Sequence, residues 1–209
     1  VAASQILYGI VGGSIALMTL CAIPYRLWRR YALFLFLAAL TLTLLVFVPG
    51  VGLELNGARR WLTVGFASFQ PAEFLKLGYV IYLSAWLASA SASIASFARG
   101  AVPFFGLAAL GAAAVLLQPD TDTFVIMMVA ATALFLATGG KWGHALALGC
   151  LGALIVAGLA LSRPYIMNRI TAFIDPSADP QGASYQINQS LIALGSGGLF
   201  GRGFGLGLQ

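Results

Sequence analysis

The chain has 209 residues, of which 60% are hydrophobic and only 8% are charged, and its mean hydropathy is +0.94. These values exclude a water-soluble globular domain, in which roughly a quarter of the residues are charged. The formal net charge of +5 does not indicate nucleic-acid binding, because the basic residues form no stripe and concentrate in short links.

Six apolar runs without charged residues follow one another along the chain, and each reaches the roughly 17 to 25 residues that a bilayer crossing needs. Exposed loops or strand edges cannot satisfy their backbone in hydrocarbon, and barrel-type alternation is absent, so the runs predict helices. The sequence therefore predicts an all-α, polytopic membrane protein. A helical bundle is predicted over residues 1–162, and the start of a large extracytoplasmic loop over 163–209. The predicted spans lie near residues 4–24, 31–49, 72–92, 101–118, 122–139 and 143–161.

Positive charge is densest in three short links that contain no acid. They hold Arg26, Arg29, Arg30, Arg99 and Lys141. Dense positive charge in short loops marks the cytoplasmic side of a membrane protein. We therefore place the segment between Asn56 and Lys76, together with the C-terminal segment, on the outer side.

A cluster of charges in that outer segment is the first candidate for a functional site. It consists of Arg59 and Arg60, followed by Glu73 and Lys76. Ionisable groups in a membrane are costly, at roughly 2.5 to 3.5 kcal/mol each at the midplane, unless they pair or face a wet cavity. Glu73 and Lys76 share a helix face and can form a structural ion pair. The alternative is an anion-binding pocket in which Glu73 orients the three cations, since arginine suits phosphate oxygens.

A second candidate is Asp120-Thr121-Asp122, which precedes the fifth predicted span. The pattern matches the Asp-x-Asp metal motif of nucleotide-sugar glycosyltransferases, so a divalent cation stays an open alternative, although the pattern is common by chance. Thr121 or Asp122 is predicted to cap the helix, which leaves Asp120 as the functional candidate. No metal site and no further cofactor are assigned.

Residues 163–209 differ in composition and are predicted to form a long external loop. Residues 184–194 are compatible with a short amphipathic helix at the membrane surface. The late glycines do not form the G-x-G-x-x-G pattern, and no predicted strand precedes them, so a dinucleotide site is rejected.

Taken in order, these motifs resemble the SEDS family of shape, elongation, division and sporulation proteins. Pro164-Tyr165 and Arg169, with Tyr185-Gln186, lean towards the division member FtsW over the elongation member RodA. The matching residues are Asn56-Gly-Ala-Arg-Arg-Trp61, Gln70-Pro-Ala-Glu73 with Lys76, Gln118-Pro-Asp120, Asp175-Pro176, Asp179-Pro180, Tyr185-Gln186, Gln189-Ser190 and Gly195-Ser-Gly-Gly198.

The resemblance implies an enzyme of cell division that polymerises lipid II into glycan strands at the outer face of the bacterial cytoplasmic membrane. Its implied partners are lipid II, membrane lipids and a class B penicillin-binding transpeptidase, and no nucleic acid. Arg59, Arg60 and Lys76 would face the leaving pyrophosphate and Glu73 would orient the lysine. Asp120 and Arg169 would line the cavity.

Two departures from the family pattern affect these expectations. Gln118-Pro-Asp-Thr-Asp-Thr123 has an aspartate where the family usually has glycine. The family's catalytic aspartate is expected beyond Gln209, and the family fold has about ten helices. We therefore expect a fragment that lacks both ends, has no catalytic residue of its own and cannot polymerise glycan.

Two other classes of function stay open. A lipid II flippase would need polar cavity residues open to both leaflets, whereas the polar positions here cluster towards one side. A non-enzymatic scaffold of the division machinery would tolerate Arg59→Ala or Glu73→Ala.

Overall fold

The computed structural model describes residues 9–55, 58–64, 67–177, 179–182, 184–198 and 201–203. Within these ranges the chain is mainly helical, with three short strands between the second and third helices. A short π-helical segment, Phe97–Ala101, leads directly into the fourth helix. The helices are α1 (Gly12–Ala22), α2 (Tyr25–Leu45), α3 (Pro71–Ala90), α4 (Val102–Leu117), α5 (Thr121–Ala137), α6 (Trp142–Ser162), α7 (Pro164–Ile174) and α8 (Tyr185–Gly197). The strands are β1 (Gly52–Leu55), β2 (Ala58–Val64) and β3 (Ala67–Phe69).

Several helices are long and apolar enough to cross a membrane. Among the described residues they are α2, the segment Phe97–Leu117 and α6, while Gly9–Ala22 and α5 are apolar but shorter. Large apolar side chains are exposed on these helices, including Leu161 of α6 at 83%. A helix that is hydrophobic all round is buried in protein or in lipid. The polytopic helical class is confirmed, and the six-span map stays a prediction.

Helix α2 begins at Tyr25, earlier than the predicted start near residue 31. Arg26, Arg29 and Arg30 therefore lie in its first two turns and not in a link. Pro24 precedes the helix in an extended conformation. Long basic side chains tolerate this position because their charged ends reach the membrane surface while their stems remain on apolar surroundings.

The chain divides into two compact units, Leu20–Ala153 and Val1–Thr19 with Leu154–Gln209. In the first unit α3 packs against α2, α4 and α5. Its fully buried side chains include Phe36, Leu75, Tyr79, Phe104 and Phe135. This apolar core packs the four helices against one another.

The three strands form an antiparallel sheet in the order β1-β2-β3. Glu54 pairs with Arg59 across the first two strands, and Leu62 pairs with Phe69 across the last two. The all-α prediction did not include this sheet, because each strand is short and carries too little alternation to be read alone. Side chains alternate along a strand, so Arg60 shares a face with the buried Leu62.

The second unit contains two helices in the segment predicted as a loop. The helix expected near residues 184–194 is present as α8, whereas α7 was not predicted. Pro164 opens α7, at the first helical position, which proline favours. Asn188 Nδ2 donates to the Pro176 carbonyl at 3.0 Å. Asn56 and Gly57 of the predicted cluster, and the glycines after Gly203, lie outside the described residues.

Candidate functional site

The turn Gln118-Pro119-Asp120, which joins α4 to α5, is where several elements of the first unit meet. Arg60 of β2 donates from Nε to the Gln118 carbonyl at 3.1 Å and from Nη2 to the Pro119 carbonyl. Gln70, just before α3, donates from Nε2 to Asp120 Oδ2 at 2.9 Å. Gln118 Nε2 donates to the Thr43 carbonyl of α2 at 2.6 Å. We call these three residues the 118–120 turn.

The bond between Gln118 and Thr43 follows from the way in which α2 ends. The last carbonyls of a helix lack partners within the helix. In a regular α-helix the Phe47 N–H would donate to the Thr43 carbonyl. Here it donates to the Leu44 carbonyl instead. Both Thr43 and Gln118 are fully buried, where an unpaired carbonyl costs about 1–3 kcal/mol. Gln118 thus anchors the 118–120 turn to the end of α2.

Asp120 is the N-cap residue of α5. Its Oδ1 accepts from the Thr123 N–H at 3.3 Å, which corrects the prediction that Thr121 or Asp122 caps the helix. The sequence favoured Asp122 because the first residue of a helix is hard to locate from sequence alone. Asp120 is only 3% exposed. The N–H groups and positive dipole of the helix start, with the Gln70 amide, stabilise its buried charge.

Arg60 forms no ion pair with an acid among the residues that the structure describes. In the described part of the chain, no carboxylate oxygen lies within 4.0 Å of its guanidinium. Its partners are two neutral carbonyls, and a guanidinium has five N–H donors. Two donors therefore hold the group in place, and the others remain for a ligand.

Arg59 and Lys76 are paired with acids. Arg59 Nε lies 3.0 Å from Glu54 Oε2 across β1 and β2, and both side chains are about half exposed. Lys76 Nζ lies 2.8 Å from Glu73 Oε2, so the predicted pairing of these two residues is confirmed. Each pair is neutral in sum.

Arg169 and Asp122 lie on two different helices. Arg169 lies on α7 in the second unit, where its side chain is exposed. Asp122 lies in the first turn of α5 with an exposed side chain, while Asp120 is buried. Within the described residues, no three His, Cys, Asp or Glu side chains form a group that could hold a metal ion.

Three residues of the site were not predicted as functional: Gln70, Gln118 and Glu54. Both glutamines directly precede a proline at a helix boundary. That signal was available, because a glutamine just outside a helix can turn its amide towards another element. Glu54 could be found only by pairing β1 with β2, since the strand register places it opposite Arg59.

Apolar helices of membrane-spanning length, with polar side chains converging on one interhelical turn, define a polytopic α-helical membrane protein. The FtsW/RodA/SpoVE family of cell cycle proteins matches the chain over residues 1–209. The chain therefore belongs to this family, which is the SEDS family that its motifs resemble.

Individual relatives agree with this assignment. Stage V sporulation protein E of Bacillus subtilis (strain 168) is 38% identical over 205 residues, covering 98% of this chain and 56% of the relative. The probable peptidoglycan glycosyltransferase FtsW of Geobacter sp. (strain M18) is 36% identical over 205 residues, with the same coverage. The chain thus spans about half the length of these curated relatives.

A solved structure shows the same fold. It comes from work on the structural coordination of polymerization and crosslinking by a peptidoglycan synthase complex. The match has a TM-score of 0.69 and 31% identity, and covers 90% of this chain and 55% of the other. At this identity both the fold and the family are shared.

Proposed function

We propose that this protein is a peptidoglycan glycosyltransferase that joins lipid II units into glycan strands during cell division. It acts at the outer face of the bacterial cytoplasmic membrane, together with a class B penicillin-binding transpeptidase. Its family membership and the names of its FtsW relatives support the reaction. The match to a synthase complex that couples polymerization with crosslinking supports the partner.

The reaction exchanges one bond at an anomeric carbon for another. A sugar hydroxyl of one lipid II attacks the anomeric carbon of a second, and the bond from that carbon to the pyrophosphate oxygen breaks. The hydroxyl proton passes to a base, and undecaprenyl pyrophosphate leaves with the electron pair and an added negative charge. Fixed hydrogen-bond donors and positive charge at the leaving group lower the barrier.

The Arg60 guanidinium, which two carbonyls hold and which has no ion pair among the described residues, is the observation that carries this proposal. Two carbonyls of the 118–120 turn hold it, so it needs little reorganisation when pyrophosphate binds. Such preorganised donors are worth more in a water-poor site than in water. Arg59 and Lys76 would add charge to the leaving group only if Glu54 and Glu73 released them. We therefore assign the main pyrophosphate contact to Arg60.

Binding of lipid II to the protein in nanodiscs tests this assignment. Arg60→Ala is expected to weaken binding about tenfold or more, because a hydrogen bond to a charged group contributes about 1.5–3 kcal/mol. Arg59→Ala is the matched control, since it removes the same charge from the neighbouring position. It is expected to change the dissociation constant by less than about threefold, as exposed ion pairs contribute about 0–1 kcal/mol.

Three results would contradict the proposal. They are equal losses in the two variants, failure of undecaprenyl pyrophosphate to compete with lipid II, and failure of the wild type to bind lipid II.

The reaction is tested with lipid II and the natural protein that contains this chain, by separating the products by length. Glycan strands are expected. Binding of lipid II without any polymer would favour a carrier over a transferase.

A further inference from the structure

We propose that Gln70 and Asp120 are positioning residues that fix the Arg60 guanidinium through the 118–120 turn, and that neither binds the substrate. This inference rests on the proposed function, because it concerns the same pyrophosphate site. It differs from the expectation drawn from the sequence, in which Asp120 lines the cavity as a substrate contact.

The orientation of Arg60 depends on the backbone of the 118–120 turn. Its Nε and Nη2 groups donate to two consecutive carbonyls, those of Gln118 and Pro119. A carbonyl changes direction when its peptide plane rotates. Any movement of this turn therefore moves both acceptors and turns the guanidinium with them. A displacement of about 1 Å can cost a hundredfold in a catalytic rate.

Hydrogen bonds hold the turn at both ends. At one end Gln118 donates to the Thr43 carbonyl. At the other, both carboxylate oxygens of Asp120 are engaged, one by the Thr123 N–H and one by the Gln70 amide. The Asp120 N–H also donates to the Val115 carbonyl at 3.0 Å. The turn is therefore tied to α2, α3 and α5.

Asp120 is buried as expected of a residue that positions others and does not contact the substrate. It is 3% exposed, which leaves little surface for a lipid-linked sugar, whereas positioning requires no access. Arg60 and Gln70 are only partly buried. Arg60 is thus more accessible to a ligand than Asp120.

Gln70 suits this role because of its place just before α3. Its backbone is extended and its side chain does not cap the helix. Pro71, the next residue, is buried and opens α3, which fixes the point from which the Gln70 side chain extends. The amide can then act on the α5 cap instead of on its own helix. Gln70 thereby links the start of α3 to the start of α5.

Substitutions of Asp120 separate positioning from direct binding, with lipid II affinity in nanodiscs as the measurement. Asp120→Asn keeps the cap, since asparagine and aspartate cap helices equally well. The Gln70 amide can rotate so that its oxygen accepts from the introduced amide. We expect binding within about threefold of wild type for Asp120→Asn, and a loss of about tenfold for Asp120→Ala. Equal losses in the two variants would show that the negative charge itself is needed.

Gln70→Glu is expected to make lipid II affinity depend on pH, which a general loss of packing would not do. Two adjacent carboxyl groups can share one proton, but they repel when both are ionised. Near pH 5.5 the introduced carboxyl group can still donate to Asp120, so we expect affinity close to wild type. Affinity should fall about tenfold by pH 8. Gln181→Glu, an exposed position in the second unit, is the matched control and should follow the wild type.

Other titratable and charged groups on the adjoining elements are common to the wild type and this variant, so their effects cancel in the comparison. They are Glu54, Arg59, Arg60, Glu73, Lys76 and Asp122. A pH-independent Gln70→Glu variant would overturn the positioning role while leaving lipid II binding by the wild type intact. Absence of lipid II binding in the wild type would instead overturn the proposed function, and with it this inference.

Discussion

Buried polar atoms in this protein differ in whether they have hydrogen-bond partners. Asp120 uses both of its carboxylate oxygens. The Tyr79 hydroxyl and Gln118 Oε1, by contrast, are buried without a hydrogen-bond partner among the described residues. An unpaired buried polar group costs about 1–3 kcal/mol. The Tyr79 hydroxyl and Gln118 Oε1 therefore lower the stability of an otherwise apolar bundle.

Removal of the Tyr79 hydroxyl is therefore expected to stabilise the protein. The Tyr79 ring packs against Phe36, with centroids 6.3 Å apart, and phenylalanine keeps that contact. We expect Tyr79→Phe to raise the free energy of unfolding in mixed detergent micelles by about 1 kcal/mol. Tyr82→Phe is the control, because the Tyr82 ring also stacks on Phe36 but is only partly buried. A lower stability of Tyr79→Phe would show that the hydroxyl is bonded in the folded protein.

Among the elements, the helices followed from the sequence far better than the sheet. Helices form in the described parts of the apolar runs, because a helix satisfies its backbone locally and prolines mark its boundaries. The sheet between α2 and α3 depends on pairing between strands, which alternation in three to seven residues does not reveal. Asn56-Gly57 was the available signal, since Asn-Gly between two strands is typical of a tight hairpin.

Gly111 of α4 lies close to the Tyr79 ring of α3. A Cβ at Gly111 would lie 2.6 Å from Tyr79 Cδ2, whereas a Cβ at Gly106 on the same helix would meet nothing within 4 Å. We expect Gly111→Ala to lower the free energy of unfolding by about 1–2 kcal/mol through overpacking. Gly106→Ala should leave it unchanged or raise it by up to about 1 kcal/mol, because alanine favours helices. Equal effects in mixed micelles would show that α3 and α4 do not meet at Gly111.

At the scale of the whole molecule, the orientation in the membrane stays a prediction from the dense positive charge of Arg26, Arg29, Arg30, Arg99 and Lys141. The sheet lies between Arg30 and Arg99 in the sequence, and the 118–120 turn lies between Arg99 and Lys141. Segments with dense positive charge therefore alternate along the chain with the two parts that form the site. The helices in between bring Gln70, Arg60 and Asp120 to one end of the first unit. A site at that end serves an external substrate only if the end faces outwards.

Accessibility of introduced cysteines tests this orientation. With Cys21 and Cys150 replaced by serine, Ser68→Cys in β3 should react with a membrane-impermeant maleimide in intact spheroplasts. Ser96→Cys, just before the π-helical segment, should react only after the membrane is disrupted. Both positions are exposed, so burial does not explain a difference. The reverse pattern would place the Arg60 site in the cytoplasm and rule out polymerisation at the outer face.

The sequence alone determined the helical membrane class, the family and the pair of Glu73 with Lys76. All of these depend on composition or on residues a few positions apart, where helix geometry fixes the contact. Only the tertiary structure decided that, within the outer charge cluster, Arg60 has no ion pair among the described residues and is held by two carbonyls. Arg60 reaches a carbonyl 58 residues away, Gln70 an aspartate 50 residues away and Gln118 a carbonyl 75 residues away. Such contacts depend on how helices pack, and no local pattern of residue types encodes them.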